Sequence, residues 1–397
     1  MYIEKQKNIK VILGSFPVRS NISVVFDEVI LNFFNDISKM IISEKKCLKY
    51  PDLVQFGFWC RKPNLVKIAN NYAGENLVVG RGTVLHIVPS NVPMNFAYSF
   101  AYGMLSGNTN IVRLPNKNFI QTKKLCEIIE KLCKKKIYRH LINKICFIKF
   151  EKSEKLASYF SNHVDCRLIW GGDETARVFK SYVTKLKCID LIFPNRYSTS
   201  IINLDSLKKL NKIKLYQLVK RFYTDCYTMD QQGCSSPQSI IWVGKNNEKI
   251  KKNFWSCLNK IVEKEYNHDL SVTNKKLSSI FKLAVKNNGN FFYNLKNFKV
   301  AKIELRKNKK NLEKIQCHYG TFTEINLKKI NKLKDIISEK IQTVTYYGFI
   351  RKDLENLILK YNFNGLDRLV PIGRAFDMGE IWDGYDVIRS LSRTIGN

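Results

Sequence analysis

"LVVGRGTVLHIVPSNVPMNFAYSFAYGMLSGNTNIVRLPNK" (residues 77–117) changes its hydrophobic period twice. "LVVGRGTVLHIVPS" reads as strand, glycine turn, strand. "PMNFAYSFAYGMLSG" reads as a helix entered at Pro93 and stopped at Gly107, and "TNIVRL" returns to strand. The alternation continues downstream. A helix is predicted over Phe119–Lys136, then strand "ICFIKF" (145–150), helix "SEKLASYFSN", strand "CRLIW" (166–170), helix "GGDETARVFKSYVTK" and strand "CIDLIF". Strands alternating with helices over short connections predict an α/β fold, with a parallel sheet covered on both faces. Upstream, residues 24–44 and roughly Pro51–Ala69 have helical spacing. Beyond "STSIINL", a helical stretch covers Asp205–Tyr223, and a second alternation opens at "SIIWVG" (239–244). Helices near 246–263 and 271–286 follow, then strand-like "FKVAKIEL", "TFTEINL" and "IQTVTYYGF". The domain boundary is placed near Asp205.

The chain has 397 residues, 45% of them hydrophobic, which suffices for two domains with cores and excludes a disordered chain. No apolar run reaches the roughly 18 residues that a membrane span needs. The start, "MYIEKQKNIK", has no apolar core and no signal-peptide pattern. Eleven scattered cysteines with no CxxC pair and no cysteine–histidine cluster argue against a disulfide framework or a metal site. They point to a reducing, cytoplasmic compartment. The net charge of +33 is mostly lysine spread along the chain. Its densest runs, "KLCKKKIYRH" and "ELRKNKKNLEK", read as solvated helix ends and loops without a nucleic-acid motif. No nucleic-acid partner is expected; an anionic substrate or cofactor would gain from the field.

Four places could carry chemistry. In "TMDQQGCSSPQ" (228–238), Cys234 follows Gly233 on a turn, and Ser235 and Pro237 suit a helix start, where free N–H groups would favour a thiolate. The alternative is an ordinary buried thiol. In "HIVPSNVP" (86–93), Asn91 sits between two prolines at a strand end; it either donates to an oxyanion or caps the following helix. In "LIWGGDETARVF" (168–179), a strand runs through Gly171 and Gly172 into a helix with Asp173 at its cap. That turn could meet a phosphate, or be structural only. Arg113 ends the strand of "NIVRLPNK", with Lys117 just beyond, where an α/β sheet lines its ligand crevice. A solvated basic strand end is the other reading.

Taken together, "VPSNVP", "SGNTNIVRLP", "WGGDE", "DQQGCSSPQ", "QTVTYYG" and "GLDRLVPIGRAFDMGEIWDGYDVIRSLSR" resemble the aldehyde dehydrogenase superfamily, and within it the LuxC-type acyl-CoA reductases. The resemblance implies a Rossmann-like cofactor domain over 1–204 with an oligomerisation hairpin near 76–88. It also implies a catalytic domain over 205–360, and a segment 361–397 that packs on the cofactor domain and the oligomer interface. Cys234 would accept the acyl group, and Asn91 with the Cys234 N–H would hold the oxyanion. Arg113 falls where the superfamily carries a lysine touching the adenosine ribose. Asn116 falls where NAD-preferring members carry a glutamate. A neutral Asn116 beside Arg113 and Lys117 leaves room for a 2′-phosphate, so NADPH is the expected cofactor. Pro89, Ser90, Pro115, Gly171, Gly172 and Asp173 would be the remaining cofactor contacts, and no metal is expected. The glutamate that serves as deacylating base in hydrolytic relatives is missing from "IFPNRYSTS" (192–200), which favours thioester reduction over aldehyde oxidation. The implied partners are an acyl-CoA or acyl-protein thioester, an acyl-activating ligase and further copies of the chain, with the tail of one copy on the hairpin of another. Two rivals remain at this level: an aldehyde dehydrogenase working oxidatively, and a basic nucleic-acid-binding protein.

Overall fold

A computed structural model describes residues 9–74, 76–267, 270–286, 291–297, 299–305 and 312–396. The N-terminal stretch read for a leader and most of the lysine-rich run at 304–314 lie outside the described residues. The chain divides into two units: Met1–Pro194 with Met378–Asn397, and Asn195–Asp377.

The first unit contains β1 (Lys10–Gly14), β2 (Leu77–Gly80), β3 (Thr83–Ile87), β4 (Thr109–Arg113), β5 (Ile145–Lys149), β6 (Cys166–Trp170) and β7 (Ile189–Phe193). Its helices before the tail are α1 (Glu28–Ser43), α2 (Pro51–Trp59), α3 (Lys62–Ala69), α4 (Asn95–Leu105), α5 (Ile120–Cys133), α6 (Glu154–His163) and α7 (Asp173–Ser181). The main sheet runs β1-β5-β4-β3-β6-β7, parallel except for β1. β3 is central, and the chain winds outward from it first to one side and then to the other. This is the doubly wound order whose strand ends form a ligand crevice. Phe147 on β5 packs edge-on against Phe96 and Phe100 of α4, with ring centroids 5.9 and 5.0 Å away. On the opposite face, Leu85, Ile87, Ile111 and Ile148 meet Leu156 and Phe160 of α6 and Phe179 of α7. Helix starts follow local chemistry: the Ser153 hydroxyl accepts from Leu156 N at 3.3 Å and opens α6.

The predicted hairpin at "LVVGRGTVLHI" does not form. All five residues of β3 are buried, which seats it in the middle of the sheet between β4 and β6. β2 pairs instead with β17 (Ser392–Ile395), at the end of the tail. That tail also holds β15 (Ile381–Trp382), β16 (Tyr385–Asp386) and α13 (Val387–Leu391). The tail therefore reaches the β2 of its own chain.

The second unit contains β8 (Tyr197–Asn203), β9 (Pro237–Val243), β10 (Phe291–Asn297), β11 (Val300–Leu305), β12 (Thr321–Leu327), β13 (Ile341–Tyr347) and β14 (Arg368–Pro371). They form one sheet in the order β10-β11-β12-β9-β8-β13-β14, parallel except for the β10–β11 pair. Its helices are α8 (Leu204–Lys208), α9 (Lys212–Tyr227), α10 (Glu248–Glu265), α11 (Leu270–Lys286) and α12 (Arg351–Tyr361). Phe222 of α9 and Phe254 of α10 pack on Ile202, Ile240 and Trp242 on one face; Leu354 of α12 packs with Ile201 and Ile241 on the other. The boundary falls ahead of β8, not near Asp205, because "STSIINL" hydrogen-bonds between β9 and β13. It returns to the first unit at Met378, not at residue 361. Among the described residues, no helix is long and apolar enough to cross a membrane.

Candidate active site

The first unit carries a cavity of about 500 Å³, lined by Ile87, Arg113, Phe150, Ser153, Thr175 and Tyr182 among others. Ile87 and Arg113 end β3 and β4, Ser153 caps α6 and Thr175 lies in the first turns of α7. The cavity thus occupies the crevice that the sheet order predicts. The Arg113 guanidinium lies 4.7 Å from the centroid of the Phe150 ring and donates to the Phe150 carbonyl at 3.2 Å. Its buried Nε has no partner among the described residues. Burial lowers the Arg113 pKa from its ordinary value, yet a guanidinium remains charged at neutral pH. An aromatic face and an unspent cationic donor in a cavity of this size suit the sugar and base of a nucleotide.

Asn116 lines a second, shallower cavity of about 480 Å³ with Lys10, Asn118, Lys149 and Glu151, and Phe150 borders both. The cation beside Asn116 is Lys149, whose Nζ lies 2.8 Å from Asn118 Oδ1 and 3.5 Å from the Asn116 carbonyl. Lys117, expected there, is instead over the Phe119 ring at 5.0 Å. Pro115 is buried. Gly171 and Gly172 lie between β6 and α7 as read, but Asp173 is the first residue of the helix and Gly172 is its cap. Asp173 and Glu174 both occupy the first turn, and two carboxylates there oppose a phosphate docking on that helix end. Pro89 is half-buried and Ser90 exposed in the turn after β3; Ile87, one step earlier, supplies the cavity wall. Asn91 is exposed, and α4 has Met94 at its cap with no side-chain cap bond, so Asn91 does not cap the helix.

In the second unit, Cys234 lies between α9 and β9 and is half-buried. Pro237 opens a strand, so no helix follows the cysteine and the expected helix N-terminus is absent. The loop is held from several sides. The Ser198 hydroxyl donates to the Cys234 carbonyl at 2.6 Å, and Ser236 N donates to the Gly233 carbonyl at 2.9 Å. A Cβ on Gly233 would sit 2.7 Å from Phe376 Cε1, so only glycine lets that ring close on the loop. Asp225 fixes the segment before Phe376, accepting from Gly373 N at 2.6 Å and Ala375 N at 2.9 Å. Burial pushes its carboxyl up to about 7, against the pull of those two amides. The other ten cysteines are all raised above the ordinary thiol value by burial, Cys126, Cys146 and Cys166 to about 12. Burial therefore disfavours the thiolate form at each of them. Among the described residues, no group of histidines, cysteines and carboxylates is arranged to hold a metal ion.

The model of the acyl-CoA reductase (LuxC) family matches residues 65–394. The chain belongs to that family. It is an enzyme, an aldehyde-related oxidoreductase. Solved structures similar to it are aldehyde dehydrogenases. One is a variant of 1-pyrroline-5-carboxylate dehydrogenase from Thermus thermophilus, 13% identical, with a TM-score of 0.65 over 93% of this chain and 80% of that one. Another is a salicylaldehyde dehydrogenase from Pseudomonas putida G7 in complex with salicylaldehyde, 12% identical, with a TM-score of 0.66 over 94% and 85%. A third is an indole-3-acetaldehyde dehydrogenase in complex with NAD+, 10% identical, with a TM-score of 0.65 over 93% and 83%. At such identities they establish the fold, the aldehyde-dehydrogenase-like α/β architecture. No curated protein sequence matches the chain.

Local pattern pointed to the enzyme's cysteine turn and strand-end arginine. It missed Ser198, Asp225, Phe376 and Lys149. Ser198 and Phe376 reach the cysteine loop from distant parts of the chain; in the sequence Ser198 is one of several hydroxyls in a buried strand, and Phe376 an aromatic in a glycine-containing stretch.

Proposed function

We propose that the protein reduces an acyl thioester to an aldehyde with NADPH, through an acyl-enzyme on Cys234. The observation that carries this reading is the loop around Cys234: a half-buried cysteine whose backbone is fixed by Ser198 and by the Gly233–Phe376 contact. The Cys234 thiolate attacks the thioester carbonyl and expels the donor thiolate, which leaves protonated as the free thiol. Cys234 then holds the acyl group as a thioester. Arg113 and Phe150 would hold a reduced nicotinamide dinucleotide, which would supply the hydride. Asn91 donates its amide N–H to the oxyanion, and Cys234 departs as thiolate when the aldehyde carbonyl forms. An oxyanion donor of this kind is worth about 3 kcal/mol.

NADPH is favoured because Arg113 and Lys149 are cations at the edges of the two cavities that Phe150 separates, while Asn116 is neutral. A 2′-phosphate gains from that balance and a carboxylate in place of Asn116 would oppose it. The thioester is an acyl-CoA or an acylated partner protein, with an acyl-activating ligase as its source. The protein works in the cytoplasm as a homo-oligomer. Product analysis with a panel of acyl-CoAs and NADPH tests the reading: aldehyde and free coenzyme A in equal amounts support it. Aldehyde consumption with NADP+ and no thioester reduction would instead favour the oxidative reaction.

A further inference from the structure

The backbone beside Cys234 is wound in an unusual way. Asp230 and Gln231 have φ of 52° and 59°. Facing them, His318, Tyr319 and Gly320 have φ of 56°, 53° and 72°. Left-handed backbone is costly for residues with a Cβ, and runs of it persist only where the surroundings enforce it. Here the two segments enforce each other. Tyr319 N donates to the Asp230 carbonyl at 3.0 Å. The Gln231 Oε1 accepts from Gly320 N at 3.0 Å and from Thr321 N at 3.1 Å. Its Nε2 donates to the Pro237 carbonyl at 2.7 Å and to the Thr321 carbonyl at 3.1 Å. Both N–H groups and both lone pairs of the carboxamide are therefore used. The Gln231 carbonyl accepts from His318 Nδ1 at 2.8 Å and from Gln238 Nε2 at 2.6 Å. From α11, Lys276 donates to the Gly320 carbonyl at 3.2 Å.

Two consequences follow from this wiring. The bond from Gln231 to Pro237 ties together the two ends of the loop that carries Cys234, so the thiol sits on a closed ring of chain. His318 must present a proton on Nδ1, because a carbonyl only accepts. Burial also lowers the His318 pKa below its ordinary value, in keeping with a neutral ring held in that tautomer.

We infer that Gln231 is the positioning residue for the Cys234 thiol, and that His318 supports it by donating from Nδ1. The inference rests on the reading that Cys234 carries the acyl group. Misplacing a nucleophile by about 1 Å costs on the order of a hundredfold in rate.

The test uses the full-length protein and its Gln231→Glu, His318→Asn and His318→Leu variants. Three quantities are read: single-turnover acylation by labelled acyl-CoA, the KM for acyl-CoA, and the rate of Cys234 alkylation by iodoacetamide, followed on the Cys234 peptide. Gln231→Glu places an oxygen against two carbonyls, and should slow acylation on the order of a hundredfold with KM changed less than about threefold. His318→Asn can offer an amide N–H in place of Nδ1–H and should stay within about threefold of the unmodified enzyme, while His318→Leu should lose about tenfold or more. Unchanged acylation and alkylation in Gln231→Glu would overturn the inference. So would His318→Asn that is as slow as His318→Leu, and this pair decides if Gln231→Glu does not fold. Acylation of the unmodified protein at a residue other than Cys234 would refute the underlying reading instead. The alkylation rates still report on the positioning of the loop in that case.

Discussion

His86 lies near the end of β3 and is fully buried. Its surroundings form one polar chain. Trp170 Nε1 donates to the Ser99 hydroxyl at 3.0 Å, and that hydroxyl lies 2.8 Å from His86 Nδ1. His86 Nε2–H then donates to Asn110 Oδ1 at 3.0 Å, and Asn110 Nδ2 to the Asn108 carbonyl at 2.9 Å. The ring is satisfied as a neutral imidazole, with Nε2 protonated and Nδ1 accepting from the Ser99 hydroxyl. Burial pushes its pKa from 6.5 down to about 4, with the Asn110 bond opposing. The unfolded chain therefore binds a proton on His86 as pH falls through 6.5, and the folded chain only near 4. The associated stability is fully present above about pH 6.5 and is lost as the pH falls toward 4, a span worth roughly 3 kcal/mol and about 2 kcal/mol of it by pH 5. His86→Gln removes the titration. Urea unfolding at pH 7.5 and pH 5, followed by tryptophan fluorescence, gives the stability lost by each protein. The unmodified protein should lose about 2 kcal/mol more than the variant. Equal losses would refute the assignment of a His86 that stays neutral in the folded chain at pH 5.

Three other outcomes are expected. Asn116→Glu should move cofactor preference from NADPH toward NADH by about tenfold or more, since a carboxylate repels a 2′-phosphate; cofactor titrations check this, and an unmodified enzyme that prefers NADH would end it. Gly233→Ala should lower kcat by about tenfold without unfolding the protein, because the new methyl displaces Phe376 and with it one wall of the cysteine loop; steady-state kinetics beside circular dichroism would show it. Deleting residues after Asp383 strips β17 from β2 and removes the buried Val387, Ile388 and Leu391, so light scattering should show aggregates; full-length protein that is monomeric at micromolar concentration would rule out the homo-oligomer.

The doubly wound sheet was legible because strands such as "ICFIKF" and "CRLIW" are short apolar runs separated by amphipathic helices. The β2–β3 turn was not. Gly80, Arg81 and Gly82 look like a hairpin, but a Cβ on Gly80 would meet the Gly107 carbonyl at 2.5 Å, so this glycine serves a close approach across the fold. Only the three-dimensional pairing shows that β2 belongs to the tail. Around Cys234, the glycine turn was readable, while Pro237 was ambiguous. A proline can open a helix or a strand, and here the apolar run "SIIWV" fixed the strand. Gln231 looked like one amide among several. Its importance lies in bonds to residues about ninety positions away, which no local pattern records.

Mass spectrometry of the protein after brief exposure to acyl-CoA, without reduced cofactor, asks whether Cys234 is the acyl carrier. One acyl group should appear per chain, on the peptide that contains Cys234, and disappear on addition of NADPH as aldehyde forms. Cys234→Ala should remain folded and unlabelled. Labelling that persists in Cys234→Ala, or that maps to any other cysteine, would contradict the account.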